Sequence, residues 1–126
     1  MPKQIHEAPS GPEPLGPYSV VTEAHGFVFV SGMIAIDPAT GTAVPGGVAP
    51  QAEQVMRNIG AVLGDVGLGY DDIVKTTIFV TDMSDFPVVN DVYGSFVGGT
   101  PPARSTVEVA ALPGGFVVEV ETIAAR

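Results

Sequence analysis

The spacing of apolar residues predicts two helices in this chain. From Pro50 to about Gly67, apolar residues recur every three or four positions, and polar side chains occupy the rest of the wheel. This pattern is typical of an amphipathic helix that packs on a sheet. A second helix is predicted over Phe86–Val97, where the apolar residues share a face and Pro87 fits the first turn.

The other apolar segments have the composition of β-strands, being rich in β-branched and aromatic residues. A tight turn at Ala24-His25-Gly26 should join the first two strands as a hairpin. Within the second strand, Ser31-Gly32 interrupts the apolar run, which indicates a bulge or a close approach by another group. The predicted strands are Ser19–Glu23, Phe27–Ile36, Ile73–Thr81, Arg104–Ala111 and Phe116–Ala124.

The order of these elements, β-β-α-β-α-β-β, predicts one α+β domain over residues 1–126. Its single sheet should have five to six strands, with both helices on one face. Residues 1–14 are Pro-rich and should form an extended N-terminal arm. Several strands carry apolar residues on both faces, so the face without helices should contact other copies of the chain in a closed homo-oligomer.

The last two strands are predicted to form a closing hairpin around the turn-rich segment Leu112–Gly115. Arg104 and Thr106 share a face of the first strand, and Glu119 and Glu121 share a face of the second. One register would make these two faces coincide, whereas a slip of one residue would separate them.

Composition excludes several functional classes. With 126 residues, of which 45% are apolar, the chain can form a real core. The net charge of -9 argues against partners such as nucleic acids and anionic membranes. The chain has no cysteine, so thiolate catalysis, disulfides and the common structural zinc sites are excluded. No apolar segment has the length of a signal peptide core or a membrane span, and a cytoplasmic location is therefore expected.

The remaining candidate for chemistry is Arg104 together with a carboxylate. No phosphate-binding loop or serine-nucleophile motif is present, and His6, in the arm, and His25, in a turn, are interpreted as surface residues. A guanidinium can bind a substrate carboxylate through two parallel hydrogen bonds, and a Glu in an apolar cleft can exchange protons with water. A structural Arg–Glu salt bridge at the end of the sheet is the commoner arrangement, and the pattern alone leaves both open.

Seven segments together resemble the RidA/YjgF family of reactive-intermediate (enamine/imine) deaminases, in order over nearly the whole chain. These are Leu15-Gly16-Pro17-Tyr18, Ser31-Gly32, residues 73–80 (IVKTTIFV), Asn90 with Tyr93, residues 102–109 (PARSTVEV), Leu112-Pro113 and residues 118–121 (VEVE). The resemblance implies a chorismate-mutase-like fold and a homotrimer with clefts between subunits. It also implies hydrolysis of 2-enamine or 2-imino acids, such as 2-aminoacrylate/2-iminopropanoate and 2-aminocrotonate/2-iminobutanoate, to 2-oxo acids and ammonia, without a metal or organic cofactor.

The same resemblance implies roles for individual residues. Arg104 would bind the substrate carboxylate, and Glu119 would activate the attacking water. The substrate-binding positions would be Tyr18, Ser31, Gly32, Asn90, Arg104 and Thr106.

Two residues depart from the family pattern. Thr106 stands where typical deaminases of the family have a cysteine, and Met33 replaces a commonly polar residue. Both changes bear on the range of substrates. They keep open a second hypothesis, a non-catalytic trimer that binds a small 2-oxo or amino acid.

Overall fold

A computed structural model describes residues 2–126 and shows one six-stranded sheet, a two-stranded ribbon and two long helices. The strands are β1 (Gln4–His6), β2 (Val21–Ala24), β3 (Phe27–Met33), β4 (Ile36–Asp37), β5 (Thr42–Ala43), β6 (Ile73–Val80), β7 (Ala103–Glu108) and β8 (Val118–Ala125). The helices are α1 (Val48–Asp65) and α2 (Phe86–Val97), with short 3-10 turns at Tyr70–Asp72, Met83–Asp85 and Pro113–Gly115. The predicted α+β class is confirmed, and the bounds of α2 match the predicted helix.

The sheet has the strand order β1-β2-β3-β8-β6-β7. All neighbouring strands are antiparallel except β6 and β7, which helix α2 connects as a parallel pair. The predicted hairpin between β2 and β3 is present. His25 and Gly26 both have positive φ, at 54° and 81°, as a two-residue type I′ turn requires.

Both helices cover the same face of the sheet, as the sequence predicted. The core there contains the inward residues of the central strands, among them Val28, Ile78 and Val120, together with Ile59 and Leu63 of α1.

The opposite face, which we call the open face, keeps large apolar side chains in contact with solvent. Phe27, Phe29 and Val107 are 46%, 42% and 42% exposed. An apolar surface of this kind is typical of an interface.

The predicted closing hairpin is wrong. β7 and β8 do not pair, because β6 lies between them and uses both of its edges. Strand β6 alternates buried residues with half-buried ones along most of its length, so both of its edges need hydrogen-bonding partners. The α2 crossover brings β7 to one edge, and the segment after β7 then crosses to place β8 on the other.

Part of the predicted N-terminal arm belongs to the sheet. β1 adds to the edge of β2, and His6 Nε2 lies 2.7 Å from Glu23 Oε1. Farther along, the backbone N–H and the hydroxyl of Ser10 both donate to the carboxylate of Asp65 at the end of α1. His6 is interpreted from the sequence as a surface residue, but it pairs with Glu23 and only 18% of its side chain is exposed. Met1 lies outside the described residues.

Asn58 is a buried polar residue that joins α1 to the segment after β3. Its side chain is 1% exposed, and its Nδ2 donates to the carbonyl oxygens of Ile34 and Ile36 at 3.3 and 2.8 Å. Its Oδ1 accepts a hydrogen bond from Gln54 at 2.8 Å. The Ile34 carbonyl also accepts from the backbone N–H of Ile36 at 2.9 Å, so the shorter bond to Ile36 is the one that supplies a needed donor. The buried amide thereby fixes the path of the chain as it leaves β3.

The substitution Asn58→Ala is expected to lower the free energy of unfolding by roughly 1–3 kcal/mol, because it removes a buried side chain that makes three hydrogen bonds and leaves the Ile36 carbonyl without this donor. Urea unfolding at a fixed protein concentration measures this change. The neighbouring exposed residue Arg57 offers a matched control, and Arg57→Ala should change stability by no more than about 0.5 kcal/mol. Equal stability of the two variants would contradict the role of Asn58.

Candidate functional site

Four of the predicted site residues line one cleft, which we call the first half-site. Tyr18, Ser31, Gly32 and Glu119 lie around a cleft of about 360 Å³. Its other lining residues are Leu15, Gly16, Ile34 and Pro113. The N-terminal arm, β3 and β8 therefore each contribute to this cleft.

A bulge in β3 makes room for Glu119. Two residues of β3, Ser31 and Gly32, stand opposite one residue of β8, because the pairing passes from Val30 with Thr122 directly to Met33 with Val120. A Cβ atom on Gly32 would overlap the Glu119 carboxylate. The sequence predicted a bulge or a close approach at this glycine, and the structure shows both.

Hydrogen bonds hold the other two polar residues of this half-site. The Ser31 hydroxyl donates to the carbonyl of Ser19 at 2.7 Å, and the Tyr18 hydroxyl accepts from the backbone N–H of Leu15 at 3.2 Å. These bonds fix the turn of the arm beside the bulge. The first half-site is thus assembled before any ligand binds.

The environment of Glu119 disfavours its charged form. Burial is the main cause and raises the pKa of its carboxyl above the ordinary value, and the nearby charge of Glu121 raises it further. Such a carboxylate accepts a proton from water more readily than an exposed glutamate does. Glu119 therefore has the properties of a general base.

The remaining predicted residues form a second half-site around Arg104, at the edge of the sheet. Arg104 Nη1 donates to Asn90 Oδ1 at 2.7 Å. The guanidinium carbon lies 5.4 Å from the ring centroid of Phe86 and 5.2 Å from that of Tyr93. Residues of α2 and of the approach to β7 line a cleft here of about 430 Å³, namely Asn90, Tyr93, Gly94, Val97, Gly98, Pro101, Pro102 and Arg104.

Arg104 differs from the other two arginines in having no carboxylate partner among residues 2–126. Arg57 pairs with Glu53 at 3.0 Å, and Arg126 pairs with Glu23 at 2.8 Å. In a chain with fourteen acidic residues, the charge of Arg104 is instead left for another group. The structural Arg–Glu salt bridge considered for this residue is therefore absent from the described part of the chain.

Thr106 lies two residues after Arg104 and on the same side of β7. Its Oγ1 is buried and has no hydrogen-bond partner among the described residues. Unpartnered buried hydroxyls are uncommon in folded proteins. This one is therefore available to a group from outside the chain.

One chain does not bring the two half-sites together. Thr76 of β6 pairs with Arg104 on one side and with Thr122 on the other, so these three side chains point to the face that carries the helices. Glu119 is three residues from Thr122 and points to the open face. The register in which the faces of Arg104 and Glu119 coincide is therefore wrong.

Phe86 contacts Arg104 but was not among the predicted site residues. Phe86, Asn90 and Tyr93 have the spacing i, i+4, i+7 that places residues on one face of a helix, so the sequence did carry a signal for it. Ile34, which lines the first half-site between the bulge and β4, was not predicted either. Local periodicity marks such residues as core and carries no information about the side chain opposite them.

Residues 2–126 contain neither a cluster of metal-ligating side chains nor a membrane-spanning helix. No group of three or more His, Cys, Asp or Glu side chains is arranged to hold a metal ion there. None of the helices in that range has the length and hydropathy needed to cross a bilayer.

Comparisons with known proteins agree with this fold. A family model described as endoribonuclease L-PSP matches residues 8–126. Mouse 2-iminobutanoate/2-iminopropanoate deaminase is 38% identical over 124 residues, which cover 98% of this chain and 92% of the mouse protein.

Two solved structures also match. The Rid-family protein YyfA from Yersinia pestis is 45% identical with a TM-score of 0.95, covering 99% of this chain and 100% of that protein. Escherichia coli TdcF, crystallised with bound serine, is 39% identical with a TM-score of 0.92 and 98% coverage of both chains. With a family model matched over most of its length and relatives of this identity, the chain belongs to the RidA/YjgF family.

Proposed function

We propose that this protein hydrolyses reactive 2-enamine and 2-imino acids to 2-oxo acids and ammonia. The proposal rests on the different chemical groups that the two half-sites present. One presents a guanidinium without a carboxylate partner, and the other presents a carboxyl group whose pKa is raised. The relatives named 2-iminobutanoate/2-iminopropanoate deaminase support the same reaction.

The two half-sites meet between subunits of a homotrimer in this proposal. Glu119 lies on the open face, whose exposed Phe27, Phe29 and Val107 suit contact with another copy. Arg104 lies on β7, which is at the edge of the sheet and pairs with β6 alone within the described part of the chain. An edge strand packed against the open face of the next copy would place Arg104 opposite Glu119.

The chemistry follows from these two groups. The enamine first tautomerises to the imine, whose carboxylate binds Arg104 and whose C=N carbon faces Glu119. Glu119 takes a proton from water as the oxygen attacks this carbon, and the proton then passes to the nitrogen. In the resulting carbinolamine, the hydroxyl proton is transferred to the amine nitrogen as the C–N bond breaks, so ammonia leaves and the C=O bond of the 2-oxo acid forms. Anchoring and orientation supply much of the rate, since they hold the reacting atoms together.

The substitution Arg104→Ala should lower kcat/KM for 2-iminobutanoate by about ten- to a hundredfold, because charged hydrogen bonds to the substrate are lost. Arg104→Lys should be intermediate, since it keeps the charge and loses the planar fork. A coupled assay in which a dehydratase generates the imine measures its loss. The paired surface arginine provides the control, and Arg57→Ala should stay within about twofold of wild type. Equal rates for Arg104→Ala and wild type would contradict the proposal.

Mixing two inactive variants tests whether the site forms between subunits. Arg104→Ala chains keep Glu119, and Glu119→Gln chains keep Arg104, so a mixed trimer contains some sites with both groups intact. Random assembly at a 1:1 ratio should restore about one quarter of the wild-type activity. Co-expression of the two variants, with each expressed alone as the control, measures this recovery. A mixture as inactive as its components would show that both groups must come from the same chain.

The activity should fall as the pH drops through the pKa of Glu119, because the general base must be ionised. Burial and Glu121 raise this pKa, so the acid limb of kcat/KM should lie above the usual range for a glutamate. Glu121→Gln removes the neighbouring charge and should move the limb to lower pH. The shift of the acid limb is measured from the pH dependence of kcat/KM, corrected for uncatalysed hydrolysis of the imine. Glu53→Gln on α1 serves as the control. An unmoved limb in Glu121→Gln would argue against Glu119 as the titrating base.

A second candidate function is binding of a small 2-oxo or amino acid without turnover. The bound serine of TdcF and the unpartnered Thr106 hydroxyl favour it. Calorimetry with 2-oxobutanoate and the imine assay separate the two functions, since binding without any loss of imine would support the second.

Cleavage of RNA, which the description of the family model names, has less support here. The chain carries a net charge of -9, and two of its five basic residues already pair with glutamates. Phosphate backbones are bound through clusters of Lys and Arg.

A further inference from the structure

Two aromatic rings and one amide hold Arg104, whereas glutamates hold the other two arginines. The rings of Phe86 and Tyr93 lie 5.4 and 5.2 Å from its guanidinium carbon, within the range of a cation–π contact. Tyr93 is itself fixed, since it is 5% exposed and its hydroxyl lies 2.7 Å from Thr76 Oγ1. Thr76 in turn pairs with Arg104 across the sheet.

We propose that Phe86 and Tyr93 are positioning residues that orient the Arg104 guanidinium for a carboxylate ligand. The proposal rests on the function proposed above for Arg104, and it adds the device that prepares this arginine for binding. We call the two rings the aromatic clamp.

The aromatic clamp restrains the guanidinium without consuming its hydrogen-bond donors. An arginine has five N–H donors. Among residues 2–126, the bond from Arg104 Nη1 to Asn90 is the only one that engages a donor of this guanidinium. A glutamate in place of the rings would neutralise the charge and occupy two donors at once. Ring faces attract the cation and leave the N–H edge free, so this arginine is both ordered and available.

A single face of α2 supplies the whole arrangement. Phe86, Asn90 and Tyr93 are spaced i, i+4, i+7, and the helix places two rings and an acceptor against one side chain of β7. Phe86 is only half-buried, so its ring can be changed with less disturbance of the core than a change at Tyr93.

The experiment compares Phe86→Leu, which removes the ring and keeps an apolar side chain, with Phe86→Tyr, which keeps the ring. Nitrogen-15 relaxation of the arginine Nε–H groups is measured by NMR in the ligand-free protein, where the chain has only three arginines to assign. Arg57 and Arg126 serve as internal references. Calorimetry with 2-oxobutanoate, a stable carboxylate, measures binding without requiring turnover.

The order parameter of Arg104 should fall in Phe86→Leu and stay near the wild-type value in Phe86→Tyr, while Arg57 and Arg126 remain unchanged. Affinity for 2-oxobutanoate should fall by about two- to thirtyfold in Phe86→Leu alone, the range expected for a lost cation–π contact. A purely structural role for Phe86 would lower stability without this selective loss of order at Arg104.

Unchanged order at Arg104 in Phe86→Leu would overturn the proposal, and so would reduced order with unchanged affinity. A wild type that binds 2-oxobutanoate but degrades no imine would refute the deaminase function and leave the aromatic clamp to be judged by its own data. A wild type that does not bind the ligand would overturn the role in ligand binding, whatever the order of Arg104.

Discussion

The position of β6 between β7 and β8 determines what one copy of this chain can do. Because β6 pairs along both edges, Arg104 and Glu119 lie on strands that never touch. The register then sends their side chains to opposite faces of the sheet. Each copy therefore carries Arg104 and Glu119 on opposite sides of one sheet, and under the proposed function neither side holds a complete site. The split of the site follows from backbone hydrogen bonding and does not depend on any side chain within it.

Distribution of charge is the second constraint on the site. Glutamates pair with Arg57 and Arg126, whereas helix α2 presents rings and an amide to Arg104. On the other side of the sheet, Gly32 has no side chain, and this leaves room for the Glu119 carboxylate in a partly buried environment. Among the described residues, Arg104 thus has no carboxylate partner, and the Glu119 carboxylate is poorly solvated. Under the proposed function, both conditions favour interaction with a small polar molecule.

The sequence predicted the local structure well and the strand order only in part. Helix α2 and the turn at His25-Gly26 depend on periodicity and on backbone conformation, which neighbouring residues determine. The closing hairpin failed because pairing is a competition between strands, and β6 takes the edge of β8 that a hairpin would have given to β7. β1 was missed for a related reason, since three residues in a Pro-rich arm become a strand only when β2 offers its edge. Likewise, whether Arg104 has an ionic partner depends on residues distant in sequence, which a pattern of residue types does not report.

The open face has exposed apolar residues, and Arg104 and Glu119 lie on opposite faces of the sheet. Under the proposed function, activity would therefore depend on the concentration of the protein. If the two half-sites meet only between copies, an isolated chain has no complete site. Activity would then rise more steeply than protein concentration until assembly is complete. Each copy brings a formal charge of -9 to that encounter, so mutual repulsion opposes it and dissolved salt weakens the repulsion. In a cell that contains this protein at low concentration, most copies would then be unassembled and would lack a complete site.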